Sequence, residues 1–108
     1  MRGKSELLQG TLDLLVLKVL AHEPQHGYGI AQKILVTSKK VLEVQHGSLY
    51  PALHRLEKQK FVVSEWRPSE AGRMAKFYSL TKKGRAHFAK EREQWVRCAD
   101  AVNGVLEA

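Results

Sequence analysis

Apolar residues recur along this chain at helical spacing in four stretches, with one extended stretch between the third and the fourth. From Leu7 or Gly10 to Ala21, Leu8, Leu12, Leu15, Val16, Val19 and Leu20 share one helical stripe, and Leu14 and Leu17 add apolar surface on the other side. Only Asp13 and Lys18 are polar between Leu12 and Ala21, which predicts a helix covered on both faces. One face packs the core; the other calls for a second partner, such as the C-terminal helix of a second subunit. His22-Glu23-Pro24-Gln25-His26-Gly27 reads as a loop by its Pro and Gly. A second helix is expected from Tyr28 to Thr37, burying Ile30, Ala31, Ile34 and Leu35. Ser38-Lys39-Lys40 ends it, and Val41 to Val44 offers at most a short strand.

The third helical stretch, His46 to Lys58, has the sharpest two-sidedness. Leu49, Ala52, Leu53 and Leu56 fall at i, i+3, i+4 and i+7, so one stripe is buried and Pro51, His54, Arg55 and Lys58 are forced outward. Gly47, Ser48 and Tyr50 cluster at its N-terminal end. Ser48 is a natural N-cap, which would start the helix there and place Pro51 in the first turn, where a missing N–H costs little. A short helix that carries hydroxyls, an imidazole and cations outward suits end-on insertion into a DNA major groove. Helix, loop, helix, loop, helix with a polar-faced third element is the helix-turn-helix plan.

After Gln59-Lys60 the period becomes extended. Residues 61–67 and 74–80 are β-branched and aromatic, and Pro68 to Arg73 holds Pro and Gly, which predicts a hairpin. Arg67, Arg73 and Lys76 sit at or near its tip beside a single acid, Glu70. A basic-tipped hairpin after a recognition helix is the wing of a winged helix, able to lay cations along a phosphate backbone. Thr81 can cap a last helix running to about Leu106, with Gly84 as a weak spot in its first turn. There Phe88, Arg92, Trp95, Ala99, Val102 and Leu106 recur at spacings of four and three, close to a heptad seam. At ~1.5 Å per residue this helix is about 40 Å long, more than so small a domain can cover. A homodimer follows, with two recognition helices for a two-fold symmetric DNA site.

The expected fold class is therefore mainly α with a small β-hairpin. A winged helix-turn-helix occupies residues 1–80, its wing about 61–80, and a C-terminal dimerisation helix over 81–108 packs with the first helix. At 108 residues the chain has room for one core and no separate catalytic module. Eighteen Lys and Arg against eleven Asp and Glu give +7, which points to nucleic acid ahead of an anionic membrane. No membrane span and no secretory pattern are read, so the cytoplasm is the expected compartment. The single Cys98 cannot form an internal disulfide. His22, His26, His46, His54 and His87 show no spacing that converges metal ligands, and no cofactor is expected. No nucleophile–base pair, paired carboxylates or phosphate loop marks an enzyme.

Residues 8–17, Pro24 with residues 26–30, Gly47-Ser48-Leu49-Tyr50-Pro51-Ala52-Leu53-His54-Arg55-Leu56-Glu57, and Tyr78-Ser79-Leu80-Thr81-Lys82-Lys83-Gly84 resemble, in order and spacing, the PadR family of transcriptional regulators. The single C-terminal helix is similar to that of its short subfamily. The resemblance implies a dimeric winged-helix repressor of detoxification, efflux or stress genes, often relieved by a small molecule. It implies DNA contact by Ser48, Tyr50 and His54, and by Arg73 and Lys76 of the wing. Tyr50 faces sideways, where its hydroxyl can reach a phosphate or its ring can pack beside the second helix; the resemblance favours DNA. Arg55, Lys58 and Arg67 complete the candidate DNA set, with simple solvation as the alternative for Arg55 and Lys58.

No effector residue carries over by motif. If two terminal helices cross, two copies of Trp95 approach and can sandwich a planar hydrophobic compound, or simply fill the dimer core. Leu14, Phe88, Val96, Ala99 and Val102 are the expected neighbours. The competing function is a winged-helix module that binds a protein partner without DNA specificity; outward hydrophobics on the third helix would mark it, and polar and basic residues stand there instead.

Overall fold

A computed structural model describes residues 9–108. Leu7 and Leu8, the predicted start of the first helix, lie outside the described residues. The elements are α1 (Gln9–His22), β1 (Gln25–His26), α2 (Gly27–Thr37), α3 (His46–Lys58), β2 (Val62–Pro68), β3 (Met74–Leu80) and α4 (Lys82–Leu106). The four helices surround one core, and the strands form an antiparallel sheet in the order β1-β3-β2.

The core follows the predicted stripes. Leu12, Val16 and Leu20 of α1 meet Ile30 and Ile34 of α2, all four stripe residues of α3, and Val62 and Tyr78 of the sheet. Ala31 packs against this core half-buried, and Leu35 is half-buried as well. Leu17 is also fully enclosed, so part of the α1 face expected to need a second subunit is covered by this chain alone. Val41 to Val44 forms no strand; Val44 instead drops its side chain into the core from the loop.

β1 corrects the reading of residues 22–27 as loop. Gln25 and His26 pair with Tyr78 and Phe77, adding a third strand to the expected hairpin. The hairpin itself keeps a continuous register from Val62↔Leu80 to Pro68↔Met74. Its turn closes through the Ser69 N–H donating to the Arg73 carbonyl at 2.8 Å.

Thr81 caps α4 as its position predicts: Oγ1 accepts from the Gly84 N–H at 2.9 Å and donates to the Lys60 carbonyl at 2.7 Å. Gly84 has a packing reason. A Cβ there would collide with the Phe61 carbonyl, so α4 can start this close to the β2 strand only on a glycine. Gly84 is the only buried position of the helix. Past it α4 stays against the globule through Phe88 and runs beside α1 as far as Trp95, and its remaining turns are largely exposed; the molecule measures 52 Å along its long axis against 33 and 21 Å across.

Candidate DNA-binding surface

The surface is built around α3. Its apolar stripe is closed off completely, leaving Ser48, Tyr50, Pro51, His54 and Lys58 exposed on the opposite side. Two details of the sequence reading change. The helix begins at His46, not near Ser48, because Gln45 is the extended residue whose carbonyl accepts from the Ser48 and Leu49 N–H groups at 3.0 and 2.9 Å. Ser48 is therefore inside the first turn and does not cap. Pro51 falls in the second turn, where it withholds the i−4 bond from the exposed Gly47 carbonyl.

Tyr50 is placed by the N-terminus of α2. A Cβ on Gly27 would come within 2.5 Å of the Tyr50 hydroxyl, so the absence of a side chain at Gly27 lets the ring lie against the backbone there. The ring thus packs beside α2, yet 44% of the residue remains exposed, next to the His46 ring at 5.6 Å. The α2 N-terminus is itself organised by His26, whose Nδ1 accepts from the Gly29 N–H at 3.1 Å and whose ring meets Phe77 edge-on at 5.0 Å. Histidine lies outside the usual capping residues, which is why the sequence assigns it only to a loop.

The candidate cations divide into free and engaged. Lys58 and Arg73 are exposed, Arg73 at the hairpin turn. Arg55 is a correction to the outward assignment: it folds back across α3 and its Nη2 donates to Asp13 Oδ1 of α1 at 3.0 Å. Burial raises the Asp13 carboxyl above the usual carboxylate range, and Arg55 lowers it without cancelling that effect. Arg67 is near the tip as expected, one pair in from Pro68↔Met74, but its guanidinium lies over the Phe77 ring at 4.5 Å, half-buried on the sheet. Lys76 sits beside α3, 3.9 Å from Glu57 Oε1, and not at the turn. The wing tip stands away from α2 across a cleft of about 1060 Å³ bordered by Tyr28, Val36, Arg73 and Met74.

The second candidate region lies between α1 and α4. Leu14 and Trp95 do share a groove, of about 300 Å³, with Gly10, Thr11, Glu91 and Gln94. Phe88 packs half-buried on this chain's own core and is not among the residues that line the groove. Val96, Ala99 and Val102 do not line the groove; Val96 and Val102 are exposed farther along α4, and Ala99 is half-buried. Among the described residues no helix is long and apolar enough to cross a membrane.

This arrangement matches known proteins over nearly the whole chain. The family described as "Transcriptional regulator PadR-like family" matches residues 16–90. A transcriptional regulator of Mycobacterium tuberculosis is 33% identical over 99 residues, covering 92% of this chain and 89% of that protein. A PadR-like transcriptional regulator from Bacillus cereus superposes with a TM-score of 0.82 at 28% identity, covering 96% of this chain and 99% of the other. A PadR family regulator from Eggerthella lenta gives 0.77 at 31% identity, over 93% and 85%. These are regulators of transcription, not enzymes, and DNA binding is what the family implies. On the matched span and on a helix-turn-helix with its wing, the chain belongs to the PadR-like family of transcriptional regulators.

Proposed function

We propose that two copies of this chain pair through α4 and α1, present two α3 helices to a two-fold symmetric DNA site in the cytoplasm, and repress transcription there. Residues to about 80 form the DNA-binding unit and 81–108 the pairing helix. The observation that carries the reading is the division of α3: every apolar stripe residue is buried, and hydroxyl, imidazole and ammonium groups are left outward. Ser48, Tyr50 and His54 are positioned for base edges or phosphates at the N-terminal half of the helix, with Lys58 and the wing's Arg73 for the backbone. The +7 charge draws the protein to a polyanion. Target genes of the detoxification, efflux or stress type fit the family.

Pairing is supported by α4, where Trp95, Val96, Val102 and Leu106 are exposed along one extended helix. A second α4 laid along this stripe brings a second Trp95 to the Leu14 groove and encloses it. A small planar hydrophobic effector between the two indoles would then shift the spacing of the α3 helices and release the DNA.

The test is fluorescence anisotropy of a labelled duplex taken from upstream of this protein's own gene, titrated at two salt concentrations beside a scrambled duplex. Saturable binding that prefers the upstream duplex and weakens with salt is expected. Equal weak binding to both duplexes would overturn the reading.

A further inference from the structure

The wing carries a large aromatic side chain that the surface described above leaves unused. Trp66 of β2 is 64% exposed. In register it lies directly across from Lys76, on the sheet face that also holds Ser64 and Tyr78. That face is turned towards α3. The Ser64 hydroxyl donates to Glu57 Oε2 at 2.6 Å, Lys76 Nζ approaches the other carboxylate oxygen, and Tyr78 is buried in the core. Trp66 is one step farther out than Ser64 on that face, so it stands on the same side of the sheet as the recognition helix. Met74, also exposed, follows Lys76 on the same face. An indole left this far in water, beside a cation and next to another apolar side chain, has the composition of a contact surface.

The occupant follows from geometry and rests on the proposed function. With α3 in a major groove and the wing at the neighbouring minor groove, the strand between the two grooves must cross the angle between helix and wing. What it offers there is deoxyribose, which is apolar and flat enough for a ring, and phosphate, which accepts hydrogen bonds. We propose that Trp66 packs its ring on a deoxyribose and donates its indole N–H to the adjoining phosphate, with Lys76 exchanging Glu57 for that phosphate. The exchange is easy because the Lys76–Glu57 pair is long, at 3.9 Å, and both side chains are over a third exposed. The contact reads backbone and not sequence, so it adds affinity to any duplex that α3 and the wing can seat.

The chain holds two tryptophans, so 5-fluorotryptophan labelling of the full protein gives two fluorine resonances, assigned with Trp66→Phe. On addition of the upstream duplex, the Trp66 resonance is expected to shift in step with occupancy measured by anisotropy. Trp66→Ala should weaken binding to the upstream and scrambled duplexes alike, by roughly tenfold. Trp66→Phe should weaken it less, and Lys76→Gln should flatten the salt dependence by about one phosphate contact. Because Trp66 is on the surface, far-UV circular dichroism of each variant is expected to match the wild type. DNA binding with an unmoved Trp66 resonance and an unchanged Trp66→Ala affinity would overturn the inference alone. A Trp66 resonance that moves with protein concentration in the absence of DNA would give the ring to a second copy and overturn it too. No DNA binding by the wild type would remove the proposed function and this contact together.

Discussion

α3 and α4 are both two-sided helices with an apolar stripe at helical spacing, and they meet opposite ends. The four stripe residues of α3 are at most 1% exposed, whereas α4, nearly twice as long, buries only Gly84. The period is the same kind of signal in both; what differs is whether the rest of the chain can reach the stripe. α3 lies across α1 and the sheet, so its apolar side is spent on the core and its polar side is left for a ligand. α4 is held at its first turns by Thr81, Gly84 and Phe88, runs beside α1 as far as Trp95, and then runs clear, with Leu106 75% exposed. A buried stripe leaves a helix its polar face to present; an unburied one leaves apolar surface, which the proposed second copy would cover.

The largest effect expected from this contrast is in stability. Leu53→Ala in α3 should cost about 2–5 kcal/mol by loss of transfer energy and creation of a cavity, read from urea unfolding. Leu106→Ala, the same kind of truncation on α4, should change unfolding by less than about 0.5 kcal/mol when measured at protein concentrations low enough to leave the chain unpaired. Comparable losses at the two sites would break the comparison. Next in size is Gly84→Ala, where the added methyl must displace the Phe61 carbonyl and lift the first turn of α4 from the chain before β2. About 1–3 kcal/mol is expected in the same measurement, although alanine is the better helix former.

Much of this was legible from local periodicity. The four helices, the hairpin and the Thr81 cap each depend on residues within a turn or a strand of one another. The misses share a cause, which is that the deciding partner is remote in the chain. β1 has only Gln25 and His26 and no alternation of its own; it exists because the Phe77–Tyr78 backbone offers it hydrogen bonds. Arg55 and Lys76 look like free cations until Asp13 and Glu57 are folded beside them. Trp66 reads as an ordinary strand former, and only the register with Lys76 and the Ser64–Glu57 bond show which way it faces. The exception is local: Ser48 has the residue type of a cap, but Gln45 holds the cap position and the backbone is already helical at His46.

Two smaller predictions sharpen how α3 is held. Gly27→Ala pushes on the Tyr50 ring, an exposed residue of α3 that lies against the N-terminus of α2. DNA affinity in the anisotropy assay is expected to fall several-fold, with a stability loss of about 1 kcal/mol. Unchanged affinity with a displaced Tyr50 would remove that residue from the DNA surface. The smallest effect concerns Asp13. Its carboxyl is raised by burial, so the folded state holds the proton more tightly than the unfolded chain does. That contribution is present at pH below the ordinary carboxylate value and is lost as pH rises through the raised one. The stability of the wild type relative to Asp13→Asn should therefore decline as pH climbs through the carboxylate range. Because Arg55 and Asp13 are both partly exposed, the change should stay under ~1 kcal/mol in urea titrations. An increase over the same range would contradict the assignment.

The most direct test of the contrast between the two helices is the mass of the protein alone and on DNA, by sedimentation velocity with the labelled upstream duplex. Free protein at twice the 12.2 kDa chain mass, and one duplex carrying two chains, is the expected result. A single chain in solution that binds one per duplex would mean that the α4 stripe needs no second copy, and would contradict the dimeric reading at its base.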